Sequence, residues 1–158
     1  MSIDVVPWPA GEDGRLDDWL AAPHVIRWWR PQQPPPGARP WRIELDGRPI
    51  GYAEDHDPGL DGGIWDVEAD VGPATRVVAL LIGEPDAVNR KLGREAIRAL
   101  ASRLFAEPGI DRLVAAPHPD NWAAIIAFKR AGFRERGRRQ FPAGPVMVLT
   151  AAKAVWKG

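Results

Sequence analysis

The stretch Val77-Val78-Ala79-Leu80-Leu81-Ile82-Gly83-Glu84-Pro85-Asp86, followed by Arg90-Lys91-Leu92-Gly93-Arg94, decides the fold. A run of aliphatic residues with no polar member predicts a central strand covered on both faces. Beyond the turn, Leu92, Ala96, Ile97, Leu100, Ala101, Leu104 and Phe105 recur at helical spacing, and Pro108-Gly109 stops the run. A helix start presents unpaired backbone N–H groups and a partial positive charge. A strand, a loop and a helix opening with cations therefore suit a phosphate.

Working outward from this unit, Leu113-Val114-Ala115 predicts a short strand. Asp120 or Asn121 is placed to cap a helix that carries Trp122, Ile125 and Ile126 and ends before Gly132. Phe133 to Phe141 and Val146 to Ala151 read as a final antiparallel pair. Toward the start of the chain, Trp41 to Leu45 alternates, Asp46-Gly47 supplies a two-residue turn and Arg48 to Ala53 returns, which predicts a β-hairpin. Before it come a strand at Ile3 to Trp8, a helix around Asp13 to Ala21 and a helical piece ending in Val25-Ile26-Arg27-Trp28-Trp29. Strands alternating with helices in the second half predict an α/β sheet that is at least partly parallel. Gln32 to Gly37 is a breaker-rich loop, and residues 1–158 are expected to form a single domain.

The chain has 158 residues, 45% apolar and 27% charged, the composition of an ordinary globule. Without cysteine it has no disulfide scaffold, thiolate metal site or Cys nucleophile. No apolar run approaches the roughly 18 residues that span a bilayer. Met1-Ser2-Ile3-Asp4 lacks the pattern of a secretory signal, so a cytoplasmic protein is expected. The net charge of zero hides an asymmetry: residues 1–87 carry −9 and residues 88–158 carry +9. Glu54 to Asp70 holds seven carboxylates and no Lys or Arg. Two readings stay open: an acidic wall facing a basic wall across a cleft, or two solvated surfaces.

Other residues have bland readings beside functional ones. His56 lies between Asp55 and Asp57, but no second histidine is at ligand spacing, so no metal is expected. His118, between Pro117 and Pro119, reads as a turn residue. Most of the eight tryptophans are expected in the core. Arg134, Arg136 and Arg138 alternate on a predicted strand and so would share one face; with Arg139 and a balanced overall charge they do not argue for nucleic acid.

Several segments, in order along the chain, carry a family resemblance. They are Pro23-His24-Val25-Ile26-Arg27-Trp28-Trp29, Gly47 to Ala53, Ile82 to Asp86, Leu92-Gly93, Pro117 to Asn121 with Ala124-Ile125, and Lys129 to Phe133. The chain resembles the GCN5-related N-acetyltransferase (GNAT) superfamily and within it is similar to the aminoglycoside 6′-N-acetyltransferase branch. The resemblance implies a mixed sheet whose central parallel strands splay apart around acetyl-coenzyme A. It implies that the pantetheine arm pairs with main chain at Leu80, Leu81 and Ile82, and that the pyrophosphate meets Arg90, Lys91, Leu92, Gly93 and Arg94. Asn121 and Phe128 would flank the arm. The implied chemistry is direct attack of an amine on the thioester, with no covalent enzyme intermediate.

The sequence departs from this pattern at several positions. Lys91 stands where the family's phosphate loop has its first glycine, and Val88 where it has Arg or Gln. At positive φ the Lys91 side chain costs about 1 kcal/mol and crowds the phosphates; at ordinary φ it adds charge for them. Phe128 replaces a tyrosine that protonates the leaving thiolate, and Ala79 and Ala116 replace two aspartates that hold amines in the aminoglycoside branch.

The expected activity is therefore acetyl transfer to a primary amine of a small molecule. Glu68 and Asp66 are candidate bases, and Trp29, Asp61 and Trp65 candidate walls for the acceptor. Two alternatives remain: a non-catalytic ligand-binding protein of the same fold, and acetylation of a hydroxylysine-type siderophore precursor. The expected partner is a small molecule rather than nucleic acid or membrane, and the expected state is a monomer or homodimer.

Overall fold

The computed structural model describes residues 2–29, 36–66, 68, 70–88 and 91–157. Strand β1 (Ile3–Pro7) leads through helices α1 (Asp13–Leu20) and α2 (Pro23–Ile26) to the hairpin β2 (Arg39–Leu45) and β3 (Arg48–His56). After β4 (Thr75–Ile82) come α3 (Leu92–Phe105), β5 (Arg112–Ala115), α4 (Trp122–Ala131), β6 (Arg134–Phe141) and β7 (Gly144–Ala152). Among the described residues, no helix is long and apolar enough to cross a membrane.

The strands form one mixed sheet in the order β1-β2-β3-β4-β5-β7-β6, in which β4 and β5 are the parallel pair. Strand alternation sends Ile43, Ala53, Val78, Leu113 and Leu149 to one face, where Leu92, Leu100, Leu104 and Phe128 of α3 and α4 complete the main core. The opposite face carries two smaller clusters. Tyr52 and Leu81 pack with Trp19 and Val25 under α1 and α2, while Val77, Val114 and Val148 pack with Trp65 and Phe141. All seven residues of the α3 apolar stripe are buried, as its periodicity predicts. Asn121 caps α4, its side chain accepting from the Ala124 N–H, and Gly132 ends the helix at φ 118°.

The packing corrects one expectation and bears on a reading left open. A bulge between Glu135 and Gly137 shifts the β6 register, so Arg134 and Arg139 share a face while Arg138 lies on the other. The arginine run is therefore not a single stripe. The acidic stretch is not a free wall either. Asp55 binds Arg39 at 2.8 Å and Arg76 at 2.7 Å, Glu68 binds Arg139, and Asp70 lies 3.4 Å from Arg112 and 3.5 Å from Arg136. Asp55 is neutralised within its own half of the chain, while Glu68 and Asp70 join the two halves across the sheet.

Candidate functional site

The parallel pairing of β4 and β5 runs only from Thr75↔Arg112 to Val77↔Val114. Strand β4 then continues to Ile82, paired with β3 alone, while β5 ends at Ala115. The sheet is split there, and the split opens into a cleft of about 810 Å³. Gly83 N–H donates to Ile50 O at 2.8 Å, and residues two apart on an antiparallel strand bond to the same neighbour. Leu81 therefore spends its main-chain groups on β3. Its side chain, too, is packed under α1 and α2. Leu80 and Ile82 instead turn their main-chain groups to the split. His24, on α2, donates from Nε2 to the Ile82 carbonyl at 3.0 Å, and this bond fixes which ring nitrogen holds the proton.

One side of the cleft ends at the start of α3. Lys91 takes the N-cap position at φ 61°, ψ 18°, and among the described residues no side chain caps the helix, which leaves its first amides for an anion. The left-handed backbone agrees with a position where glycine is the unstrained residue. Lys91 is exposed, Gly93 and Arg94 line the cleft, and Leu92 lends only its backbone because its side chain is core. Arg90, an expected phosphate contact, lies outside the described residues. Asn121 and Phe128 line the facing wall, but Asn121 uses its side-chain oxygen as the α4 cap, and Phe128 is 5% exposed and packs edge-on against Phe133.

The floor of the cleft holds a carboxylate that sequence reasoning passed over. Glu54, on β3 opposite Ala79, is 6% exposed and accepts a hydrogen bond from Tyr52 Oη at 2.8 Å. Burial pushes its pKa upward against the opposing pull of Tyr52 and His56, with Asp55 and Asp61 adding to the rise. Burial, with the charge and hydrogen bond of Glu54, also raises the Tyr52 hydroxyl far above its ordinary value, which keeps it a neutral donor. Trp29 stands edge-on to Tyr52 at 6.0 Å, and Trp28 faces His118 at 5.7 Å from the far side of the split.

Other expected site residues fall elsewhere. Glu68 lies outside the cleft, its oxygens 2.5 and 3.4 Å from Arg139, where it ties the segment before β4 to β6. Asp66 is exposed and likewise outside. Asp61 accepts from Trp65 Nε1 and binds His56, while Trp65 is buried against Phe141. These four build the sheet's far corner, and of the expected acceptor walls only Trp29 reaches the cleft. Among the described residues, no group of histidines and acids is arranged to hold a metal. Glu54 was hidden because cross-strand register, and hence its neighbour Ala79, is absent from a linear reading. Its one available signal was the Tyr52-Glu54 alternation, which puts both on one face of the hairpin.

A split parallel pair with open main chain, an uncapped helix start and a buried carboxylate can seat a long anionic thioester beside a base. The comparisons with known proteins bear on this geometry. An aminoglycoside N(6′)-acetyltransferase type 1 from Klebsiella pneumoniae is 27% identical over 160 residues, covering 90% of this chain and 79% of its own. A kanamycin resistance protein from Rhizobium radiobacter is 27% identical over 93 residues, covering 59% of this chain and 84% of its own. A crystal structure of an aminoglycoside acetyltransferase in complex with coenzyme A and kanamycin superposes with a TM-score of 0.87 at 26% identity, covering 97% of this chain and 96% of that one. The model of the acetyltransferase (GNAT) domain matches residues 10–141, which span the hairpin, the split and Glu54, and the chain therefore belongs to the GNAT acetyltransferase family.

Proposed function

We propose that this acetyltransferase moves the acetyl group of acetyl-CoA to a primary amine on a small molecule, with Glu54 as the base. The observation that carries the reading is the placement of a buried, upward-shifted carboxylate at the floor of the β4–β5 split. Acetyl-CoA fits the residues around it. The Leu80 main chain is free to pair with an amide-bearing arm, and the α3 amides with Arg94 meet an anion. Acetyl-CoA supplies the thioester carbonyl; the chain's own residues position the amine and take its proton.

Once Glu54 has taken a proton from the ammonium, the freed lone pair attacks the thioester carbon, the N–C bond forms and the C–S bond breaks, the thiolate leaving with that electron pair and the second N–H proton passing to solvent. The first proton goes to a Glu54 carboxylate oxygen, and Tyr52 holds that carboxylate in place. A base works best with its pKa near the operating pH, so the upward shift of Glu54 suits it to this step. Phe128 has no proton for the leaving thiolate, which takes one from solvent.

Calorimetric titration with acetyl-CoA and a thiol-release assay test the reading. Binding with turnover supports it, and Glu54→Gln lowers kcat by about 10²- to 10⁴-fold with acetyl-CoA affinity unchanged. A Glu54→Gln enzyme as fast as the parent overturns the assignment of the base. Binding without turnover of any amine favours the non-catalytic reading, which Lys91 in place of the loop glycine also favours.

A further inference from the structure

We propose that the acceptor is an amine of single positive charge carried on an apolar or aromatic body, and not a polycation. This rests on the acetyl-transfer reading and adds the substrate class. The amine must approach Glu54 from the sheet face that carries α2, because α3 and α4 cover the other face. On that approach the cleft residues beside Glu54 are uncharged, while His56, Asp55 and Asp61 act on it from outside the cleft lining. Ala79 sits directly opposite it in the β3–β4 register, and Ala116 follows the end of β5. Val25, Trp28 and Trp29 form the α2 side.

Charge in the cleft runs the same way. Among the described lining residues the acids are Glu54 and Asp120, and Asp120 is exposed on the rim beside His118. Against them stand Arg27, Lys91, Arg94 and Arg130. Arg27 lies at the entrance with its guanidinium 4.7 Å from the Trp28 ring, and the structure gives it no hydrogen bond or ion pair among the described residues. Each extra ammonium entering such a site would be stripped of water without a partner and repelled by Arg27. The carboxylates that could have drawn a polycation are occupied: Asp55 by Arg39 and Arg76, Glu68 by Arg139, and Asp61 by His56 and Trp65. Inside the cleft Glu54 receives one ammonium, Asp120 being out on the exposed rim, and Trp28 and Trp29 offer ring faces to the body behind it.

The test measures thiol release by the full chain with acetyl-CoA and, as acceptors, phenethylamine, spermidine and kanamycin. The expected kcat/KM for phenethylamine exceeds that for either polycation by about tenfold or more, one unpaired charge being enough for that factor. Arg27→Glu, at an exposed position, raises kcat/KM for kanamycin relative to phenethylamine several-fold at low salt, and Ala79→Asp does the same by adding an anion beside Glu54. A parent enzyme that prefers kanamycin or spermidine overturns the inference and leaves acetyl transfer standing. Acetyl-CoA binding without turnover of phenethylamine overturns it as well. The absence of both acetyl-CoA binding and turnover overturns the acetyl-transfer reading and the inference with it.

Discussion

Glu54 is held in a state that favours chemistry over stability. Because burial raises its folded pKa, the folded protein binds this proton more tightly than the unfolded chain. The stability this supplies is complete below the ordinary carboxylate range and is lost as pH rises through the folded value, so ionised Glu54 is a cost at neutral pH. Thermal unfolding of Glu54→Gln at neutral pH is expected at a higher temperature than that of the parent, the difference closing as the buffer is taken to pH values below the carboxylate range. Tyr52→Phe removes the hydrogen bond that pulls Glu54 down. The acid limb of its kcat/KM profile shifts to higher pH, whereas loss of packing alone would lower the profile without moving it. Lys91 is a second strained position, at φ 61°. Relief of roughly 1 to 2 kcal/mol of left-handed strain is partly offset by the about 0.5 to 1 kcal/mol of glycine entropy, so Lys91→Gly gains up to about 1 kcal/mol in urea unfolding. The same variant removes a side chain that positive φ sets against the phosphates, and calorimetry is expected to show tighter acetyl-CoA binding.

At the scale of elements, the junction between β4 and the segment leading to α3 is set by Gly83. A Cβ there would lie 2.1 Å from the Trp19 ring, and Trp19 Nε1 donates to Glu84 Oε1 at 3.4 Å. Helix α1 is thereby pinned to the end of the strand that lines the cleft. Gly83→Ala forces Trp19 out of its pocket at a cost of about 1 to 3 kcal/mol, the range of overpacked cores, read as a lowered urea midpoint. The boundaries of most elements were legible in the sequence because each carried its own punctuation: Asp46-Gly47 at the hairpin, Asn121 and Gly132 around α4, Pro108-Gly109 after α3. The bulge in β6 was not, since alternating arginines look the same with or without an inserted residue, and the register shift around Gly137, at φ 121°, becomes visible only against β7.

At the scale of the molecule, buried ion pairs tie distant segments into the frame that holds the split open. Asp55 is fully buried and accepts from Arg39, Arg76 and Trp41 Nε1, while Arg39 also reaches Glu107 beyond α3. Removing Asp55 leaves the Arg76 guanidinium and Trp41 Nε1 without their buried acceptor while Arg39 keeps Glu107, so Asp55→Ala is expected to cost about 3 kcal/mol in equilibrium unfolding. A loss below 1 kcal/mol would show that solvent replaces the carboxylate without penalty.

The sequence by itself determined what depends on near neighbours: the strands and helices, the apolar face of α3, the caps, and the family resemblance that the domain match bears out. Tertiary structure alone decided which carboxylate faces the cleft. Seven acids between Glu54 and Asp70 are chemically alike on paper, and partners distant in the chain divide them. Arginines brought together by the sheet order neutralise Asp55, Glu68 and Asp70, and the end of the β4–β5 pairing leaves Glu54 beside open space. A charge becomes reactive through its desolvation and its neighbours, and both are fixed only when strands far apart in sequence come into register.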